Sequence, residues 1–322
     1  MHFRLGTPQD FAPCAALLRV NGCFRLSNPL TLETLWQRML ERQQLSMFIV
    51  WEDPTQPEDE RIVSFGMSVF IDDRCVEWLK SSPEPWPANR LYAEVERDER
   101  DGLVLDQQRI ARANAGDGVN IFVLHNPMRV HRLADPRNHD LLTLGPNGFY
   151  FSHDGYYTKS VFWEIYGAEQ AAYIAGGGYR EIHTSSGSAA VADVDPDRMP
   201  SLYALERDAA GEKSYLPHHL WLFSRKRPQM RFTQKQQLHL IHALLGHSDR
   251  ELQALLGISE DAVKQAWKTI MQRAAETQPE RFARDPEAGE GRGQSRRHLL
   301  LAYLRQHMEE LRPYHYQSAQ RR

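Results

Sequence analysis

The residues best suited to chemistry fall into a few groups. Lys264, Gln265, Lys268 and Thr269 lie in one helical stretch, with Ser259 before it and Arg273 at its end, and Ser248 and Arg250 open the stretch before that. Cationic and amide side chains repeated along one helical face can contact phosphates and base edges. Phe149, Phe151, Tyr156, Tyr157, Phe162 and Trp163 belong to the densest aromatic run of the chain, which reads as one wall of an apolar ligand pocket. His125, His131, His139 and His153 stand close in sequence, but no spacing among them matches a zinc motif. Glu94 and Glu96 precede a run of five charges and read as a solvated stretch.

Composition narrows the classes. Of 322 residues, 41% are hydrophobic and 25% charged, enough apolar material for a sizeable core. No run approaches the roughly 18 apolar residues of a membrane span, and the start, Met1-His2-Phe3-Arg4, leads into polar sequence, so a cytoplasmic protein without a membrane partner is expected. Cys14, Cys23 and Cys75 form no paired motif and fit a reducing compartment. The net charge of −3 conceals an asymmetry: residues 225–322 hold 18 Lys and Arg against 11 Asp and Glu, the rest 21 against 31. A basic end on an acidic body suits contact with a polyanion.

The elements that must position these side chains come in two patterns. Residues 1–183 read as mixed α/β. Strands are expected at Phe3–Leu5, Met47–Trp51, Arg61–Ile71, Val119–His125, Phe149–Phe151 and Ser160–Ile165, and helices at Gln9–Val20, Leu30–Gln43 and Ala168–Ala175. Thr31 caps the second helix, and the strands around residues 53–60 form a hairpin. From Phe232 the pattern is helical. Thr233 caps a first helix. Ser248 and Glu251 form a capping box for a second, Asp249–Leu256, which Gly257 closes, and Ser259 caps a third. The third buries Ala262, Val263, Trp267 and Ile270 and turns Lys264, Gln265, Lys268 and Thr269 outward.

This segment, Phe232 to Arg273, resembles the helix-turn-helix of the LuxR/FixJ/NarL class of bacterial regulators. The likeness rests on Phe232-Thr233, Gly246-x-Ser248, Asp249-Arg250-Glu251-Leu252, Gly257-Ile258-Ser259 and Val263-Lys264. Gln236, Ala262, Ala266 and Trp267 depart from the usual residues. The resemblance implies double-stranded DNA as partner. Lys264, Gln265, Lys268, Thr269 and Ser259 would be at the bases and nearby phosphates, with Ser248, Arg250 and Arg273 on phosphate.

The element order of the first part is similar to the GNAT acyltransferases. Ala171-Ala172-Tyr173 followed by Gly176-Gly177-Gly178-Tyr179 resembles that family's late helix and Gly-aromatic step. The resemblance implies a loop of the form [Arg/Gln]-x-x-Gly-x-[Gly/Ala] after the central strand, whose backbone N–H groups hold the coenzyme A pyrophosphate. Neither Ala113–Gly118 nor Tyr173–Gly178 meets that pattern in that place.

The expected fold class is therefore an α/β, GNAT-like mixed sheet followed by an all-α helix-turn-helix domain. Residues 1–190 form the sensing or assembly domain, 191–230 a linker with short elements, 231–275 the DNA-binding domain, and 276–322 a polar connection and an amphipathic helix. The expected function is a transcriptional regulator, not an enzyme, with no cofactor or metal and with a small apolar or acyl ligand as a possible effector. The alternative is an acyl-CoA-dependent N-acyltransferase with an appended helix-turn-helix. A homodimer is expected through Ser295–Leu311, by way of Leu299, Leu300, Tyr303, Leu304, Met308 and Leu311.

Overall fold

The structure, a computed structural model, describes residues 1–97, 102–207, 220–283 and 293–315. The chain divides into two compact units, residues 1–153 with 157–223, and residues 154–156 with 224–322.

The first unit is built on seven strands: β1 (His2–Leu5), β2 (Leu45–Glu52), β3 (Ile62–Ile71), β4 (Val119–His125), β5 (Thr158–Tyr166), β6 (Arg180–Thr184) and β7 (Pro200–Glu206). They lie in the order β1-β2-β3-β4-β5-β7-β6. Every neighbouring pair is antiparallel except β4 and β5, which run parallel. The expected hairpin is β2–β3, and the strand expected at Val119–His125 is β4 with the same bounds. Strand β7 completes the sheet, so residues 200–206 belong to this unit although they fall in the stretch expected to be a linker.

Strand alternation sends the side chains of β2 to two cores. Phe48 and Val50 join the larger core with helices α1 (Phe11–Asn21) and α2 (Leu32–Glu41), whereas Met47, Ile49 and Trp51 face a smaller one with Leu141 and Phe149. Thr31 caps α2 as expected, its side chain accepting the Thr34 N–H. Between β3 and β4, residues 72–118 carry three helices absent from the sequence reading: α3 (Asp73–Ser81), α4 (Ala88–Arg97) and α5 (Gln107–Ala115). Their Cys75, Leu79, Leu91, Tyr92 and Val95 thicken the larger core.

The strand expected at Phe149–Phe151 is instead the end of helix α6 (His139–His153). The helix contains Gly145, Pro146 and Gly148, poor helix formers, yet tertiary contact overrides propensity. A Cβ on Gly148 would meet Trp51 Cζ2 at 2.5 Å, so the close approach of α6 to β2 requires glycine there. Helix α7 (Ala168–Gly176) follows β5, and α8 (Leu220–Phe223) ends the unit.

The second unit is helical: α9 (Gln234–Leu244), α10 (Asp249–Leu256), α11 (Glu260–Thr277), α12 (Pro279–Phe282) and α13 (Gly293–Leu304). Thr233 and Gln236 form a capping box on α9, which gives the amide at position 236 a physical role. Ser248 and Glu251 form another on α10, and Gly257 ends α10 in the left-handed region at φ 63°. Leu240, Leu252, Val263, Trp267 and Ile270 are buried, Leu255 is 44% exposed, and Ala262 faces solvent, unlike the burial expected of it.

The C-terminal segment differs from expectation in a way that matters for assembly. It is not one helix to Leu311: α13 stops at Leu304, and a 3₁₀ turn covers Met308–Leu311. Leu300, Tyr303, Leu304, Met308 and Leu311 are at most 6% exposed within their own chain, leaving Leu299 outside. The Glu310 carboxylate accepts the N–H groups of Gln229 and Met230, and Gln237 Nε2 donates to the Arg312 carbonyl. The apolar face expected to make a dimer is thus spent inside the unit, which corrects that expectation.

Candidate functional site

The parallel pair of the first unit opens at one end. The β4–β5 ladder stops at Val123↔Trp163, two residues before β4 ends and three before β5 ends. On its other side, β4 carries a bulge: Met67 pairs with His125 and Ser68 with Val123, so Leu124 is supernumerary. The bulge places His125 opposite Met67, on the side of the larger core. Ligands of open sheets with parallel strands sit outside the carboxyl ends of those strands.

A buried polar cluster gathers at this parting. Trp36 Nε1 donates to Tyr92 Oη at 2.8 Å, and Tyr92 Oη lies 2.6 Å from His125 Nε2. Tyr92 Oη thus links the indole and the imidazole in one buried hydrogen-bonded chain. Burial pushes the imidazole down to about 3 and raises the Tyr92 phenol. His125 is therefore uncharged at neutral pH.

Glu164 is the titratable group of this cluster. On β5, Phe162, Glu164 and Tyr166 share one face, and Phe162 and Tyr166 pack in the larger core. Glu164 accepts the Trp86 N–H at 2.6 Å and the Tyr166 hydroxyl at 2.6 Å. Burial pushes its carboxyl up to about 7, against the two hydrogen bonds, which favour the charged form. A carboxyl that changes charge near neutrality suits proton transfer. An acidic residue on the apolar face of a central strand is a signal legible in the sequence, and the sequence reading missed it, along with Tyr92.

Cys23 lies beside this cluster, its Sγ 3.6 Å from His131 Nδ1. Burial pushes the thiol up to about 12, so at neutral pH it is no thiolate nucleophile.

The loop from β4 to α6 reads Arg129-Val130-His131-Arg132-Leu133-Ala134. It carries the basic first residue and the small last residue of the pyrophosphate pattern, with Arg132 in place of the inner glycine. Its Leu133 and Ala134 N–H groups donate to the two carboxylate oxygens of Glu169, at 3.0 and 2.9 Å. The stretch Ala113–Gly118 lies at the opposite end of β4, where Ala113 and Gly118 line a cavity of about 350 Å³ with Asp72, Asp73, Arg109, Arg112 and Asn120. Arg109 pairs with Asp72 there, and Lys159 with Asp73.

The six aromatics expected to share a wall are dispersed. Phe149 packs in the smaller core and Phe162 in the larger. Phe151 lies beside Phe3, Trp163 beside Tyr179, and Tyr157 beneath the Arg207 guanidinium. Tyr156 sits in the second unit under Arg312. Alternation explains the division of Phe162 from Trp163, and the helical conformation of 149–151 displaces the first two.

In the second unit, Lys264, Gln265 and Lys268 are exposed on α11, opposite the buried Val263, Trp267 and Ile270, and Arg250 is exposed on α10. Lys264 also pairs with Glu260 at 2.6 Å. Ser248 and Ser259 are engaged in capping, Thr269 Oγ1 donates to the Ala266 carbonyl, and Arg273 holds the Arg231 carbonyl. Glu94 is buried and accepts the Leu103 N–H, so it is not part of a solvated stretch. Among the described residues no group of three or more His, Cys, Asp or Glu is placed to hold a metal, and no helix is long and apolar enough to cross a membrane.

No known family profile and no curated protein matches the chain. Solved structures do. Arabidopsis thaliana NAA60 in complex with acetyl-CoA is 13% identical, with a TM-score of 0.37 over 64% of this chain and 98% of that one. The GphF GNAT-like decarboxylase in complex with isobutyryl-CoA is 16% identical, with a TM-score of 0.37 over 64% and 99%. Drosophila melanogaster polyamine N acetyltransferase is 14% identical, with a TM-score of 0.32 over 64% and 99%. The expectation that the chain is not an enzyme is withdrawn: the solved structures it is similar to include one described as a polyamine N acetyltransferase and one in complex with acetyl-CoA.

Proposed function

We propose that the chain is an acyl-CoA-dependent N-acyltransferase whose reaction centre lies where β4 and β5 part. The observation that carries this reading is the parting itself, an opening between two parallel strands with Glu164, Tyr166, Tyr92 and His125 gathered behind it. An extended chain bearing amides can use strand-end N–H and C=O groups that no neighbouring strand takes. Coenzyme A supplies an activated acyl group as a thioester and a diphosphate that needs hydrogen-bond donors. Leu133 and Ala134 fit the second need, because their N–H groups already converge on an anion.

Within this reading Glu164 takes the proton that the acceptor amine loses as its nitrogen bonds to the acyl carbon, and the carbon–sulfur bond of the thioester breaks to release the coenzyme A thiolate, which is protonated from water. Tyr166, hydrogen-bonded to Glu164, holds that carboxylate in place. The test follows coenzyme A release by the full chain from acetyl-CoA with a panel of primary amines, wild type against Glu164→Gln. Turnover that the substitution abolishes supports the proposal. Absence of turnover together with absence of acetyl-CoA binding sinks it.

The second unit is read as an appended DNA-binding helix-turn-helix. The supporting observation is the α10–Gly257–α11 tandem, with Lys264, Gln265 and Lys268 exposed on the second of its helices. Titration of a mixed-sequence duplex at two salt concentrations tests it. Binding that weakens steeply with salt is expected, and no measurable binding at low salt removes DNA from the account.

A further inference from the structure

We propose that Trp86 is a positioning residue for Glu164: its main chain is held in a left-handed conformation so that its N–H meets one carboxylate oxygen and keeps the proton-accepting form in place. The inference rests on the acyltransferase reading for what that carboxylate does, and on backbone geometry for how it is held.

Trp86 stands at φ 53°, in the region that favours glycine. Among the described residues, Gln43 and Arg231 are the other non-glycine residues with positive φ. Gln43 follows the end of α2, where a left-handed residue is routine. Trp86 is bulky, buried and set between Pro85 and Pro87, and a following proline favours an extended backbone. A residue keeps such a conformation only where its surroundings over-determine it. Here they do. The indole Nε1 donates to the Cys23 carbonyl at 2.9 Å, and the Arg25 guanidinium, paired with Asp193, lies over the ring. The Trp86 carbonyl accepts the Asn89 N–H at 2.9 Å, and Asn89 Nδ2 donates to the Arg25 carbonyl at 2.9 Å.

What this conformation delivers is one contact with Glu164. The Trp86 N–H donates to Oε1 and the Tyr166 hydroxyl to Oε2, each at 2.6 Å, so the two oxygens have separate donors and the plane of the carboxylate is fixed. Both donors favour the charged form, against the burial that pushes the carboxyl up to about 7. The other titratable groups around it are Tyr166 on the same strand, Cys23 just past α1, Tyr92 on α4 and His125 on β4, and burial keeps all four uncharged at neutral pH. Arg198 is the cation that acts on Cys23. Trp86 therefore helps hold the Glu164 carboxyl near neutrality rather than above it. A turn that serves only to pack the indole makes a different forecast: losing its N–H would lower stability without moving the titration of Glu164.

The experiment removes the Trp86 N–H alone, by placing the α-hydroxy analogue of tryptophan at this position of the full chain so that an ester oxygen replaces the amide nitrogen. Trp86→Phe, which keeps the N–H and an aromatic ring, runs beside it. Acyl transfer from acetyl-CoA to a primary amine is followed from about pH 5 to about pH 10. The ester chain is expected to be about tenfold slower than wild type near pH 6 and to converge with it above about pH 9, since a hydrogen bond to a charged group is worth at least that factor. Trp86→Phe is expected to keep the wild-type midpoint. A loss that does not depend on pH, or no loss, overturns the proposal. Carbon-13 NMR of the carboxyl groups, with Glu164→Gln to assign the signal, needs no turnover and separates the two readings. A Glu164 midpoint that moves up in the ester chain, with no turnover in any chain, keeps the positioning role and defeats the acyltransferase reading; an unmoved midpoint defeats the positioning role whatever the rates. Should the ester chain not fold, Trp86→Gly and Trp86→Ala decide. Both lose the ring, but only glycine takes φ 53° freely. The glycine variant is then expected to unfold at higher urea, and an equal or lower midpoint overturns the proposal.

Discussion

The sheet unit and the helical unit keep their polar side chains in opposite settings. In the first, Glu164, Tyr92 and His125 are at most 8% exposed, and each is hydrogen-bonded to a named partner. In the second, Lys264, Gln265 and Lys268 project into solvent from a helix whose other side is buried. The contrast teaches how environment assigns a role. Burial moves the Glu164 carboxyl to where a proton can be exchanged near neutrality, whereas the exposed side chains of α11 are, on the proposed reading, open to a polyanionic partner. On the proposed readings, the first setting would act through proton affinity and the second through long-range charge.

The comparison breaks most sharply at Glu164. Glu164→Gln is expected to lower acyl transfer by about 10²–10⁴-fold, with acetyl-CoA affinity nearly unchanged, as steady-state kinetics and calorimetry check. The wild-type rate is expected to rise with pH and level off above about 7. Stability runs the other way. Between the ordinary 4.5 and about 7 the folded protein binds more protons at this site than the unfolded chain, so stability falls as pH rises through that window. The loss is about 3 kcal/mol at most, and urea unfolding at several pH values shows whether Glu164→Gln abolishes it.

Trp267 tests the buried side of the helical unit. It is 4% exposed, donates to Asp249 at 3.0 Å and lies beneath the Arg297 guanidinium. Trp267→Ala is expected to cost about 3–5 kcal/mol of that unit's stability, read as a lower denaturant midpoint. Acyl transfer that fell in parallel would show that the two regions are not separable.

Replacing the exposed cation Lys268 by Ala is expected to weaken duplex binding by about 1–3 kcal/mol without changing the unfolding midpoint; fluorescence anisotropy and thermal melts together decide. A smaller effect is expected at Gly257→Ala. Nothing lies within 4 Å of the added Cβ, so only the left-handed backbone at φ 63° resists it. The expected cost is about 1 kcal/mol, measured as a shift in melting temperature.

Much of the scaffold was legible because its signals are local. The position of β4 follows from the apolar run Ile121-Phe122-Val123-Leu124 at its centre, and the capping boxes at Thr233 and Ser248 mark helix starts within four residues. The site was less legible because it is assembled from afar. Trp86 reaches Glu164 across 78 positions, Tyr92 reaches His125 across 33, and the bulge at Leu124 is a property of the pairing rather than of either strand. Helix α4 was lost for a related reason: Glu94 looks solvated beside its charged neighbours until Leu103 is seen to donate to it. Burial of the C-terminal leucines against α9 rather than against a second copy likewise has no local signature.

Residues 72–118, inserted between β3 and β4, also bear on how the chain reaches this state. Strands β2 and β3 close across a short turn and can pair as soon as both exist. Strand β3 meets β4 only after the whole insertion has been gathered in, a non-local step of the kind that slows folding although its entropic cost grows only logarithmically with length. During synthesis β3 therefore waits with one edge unpaired. Nine of its ten residues are buried in the finished protein, so until β4 covers it that edge would be a sticky template for neighbouring chains.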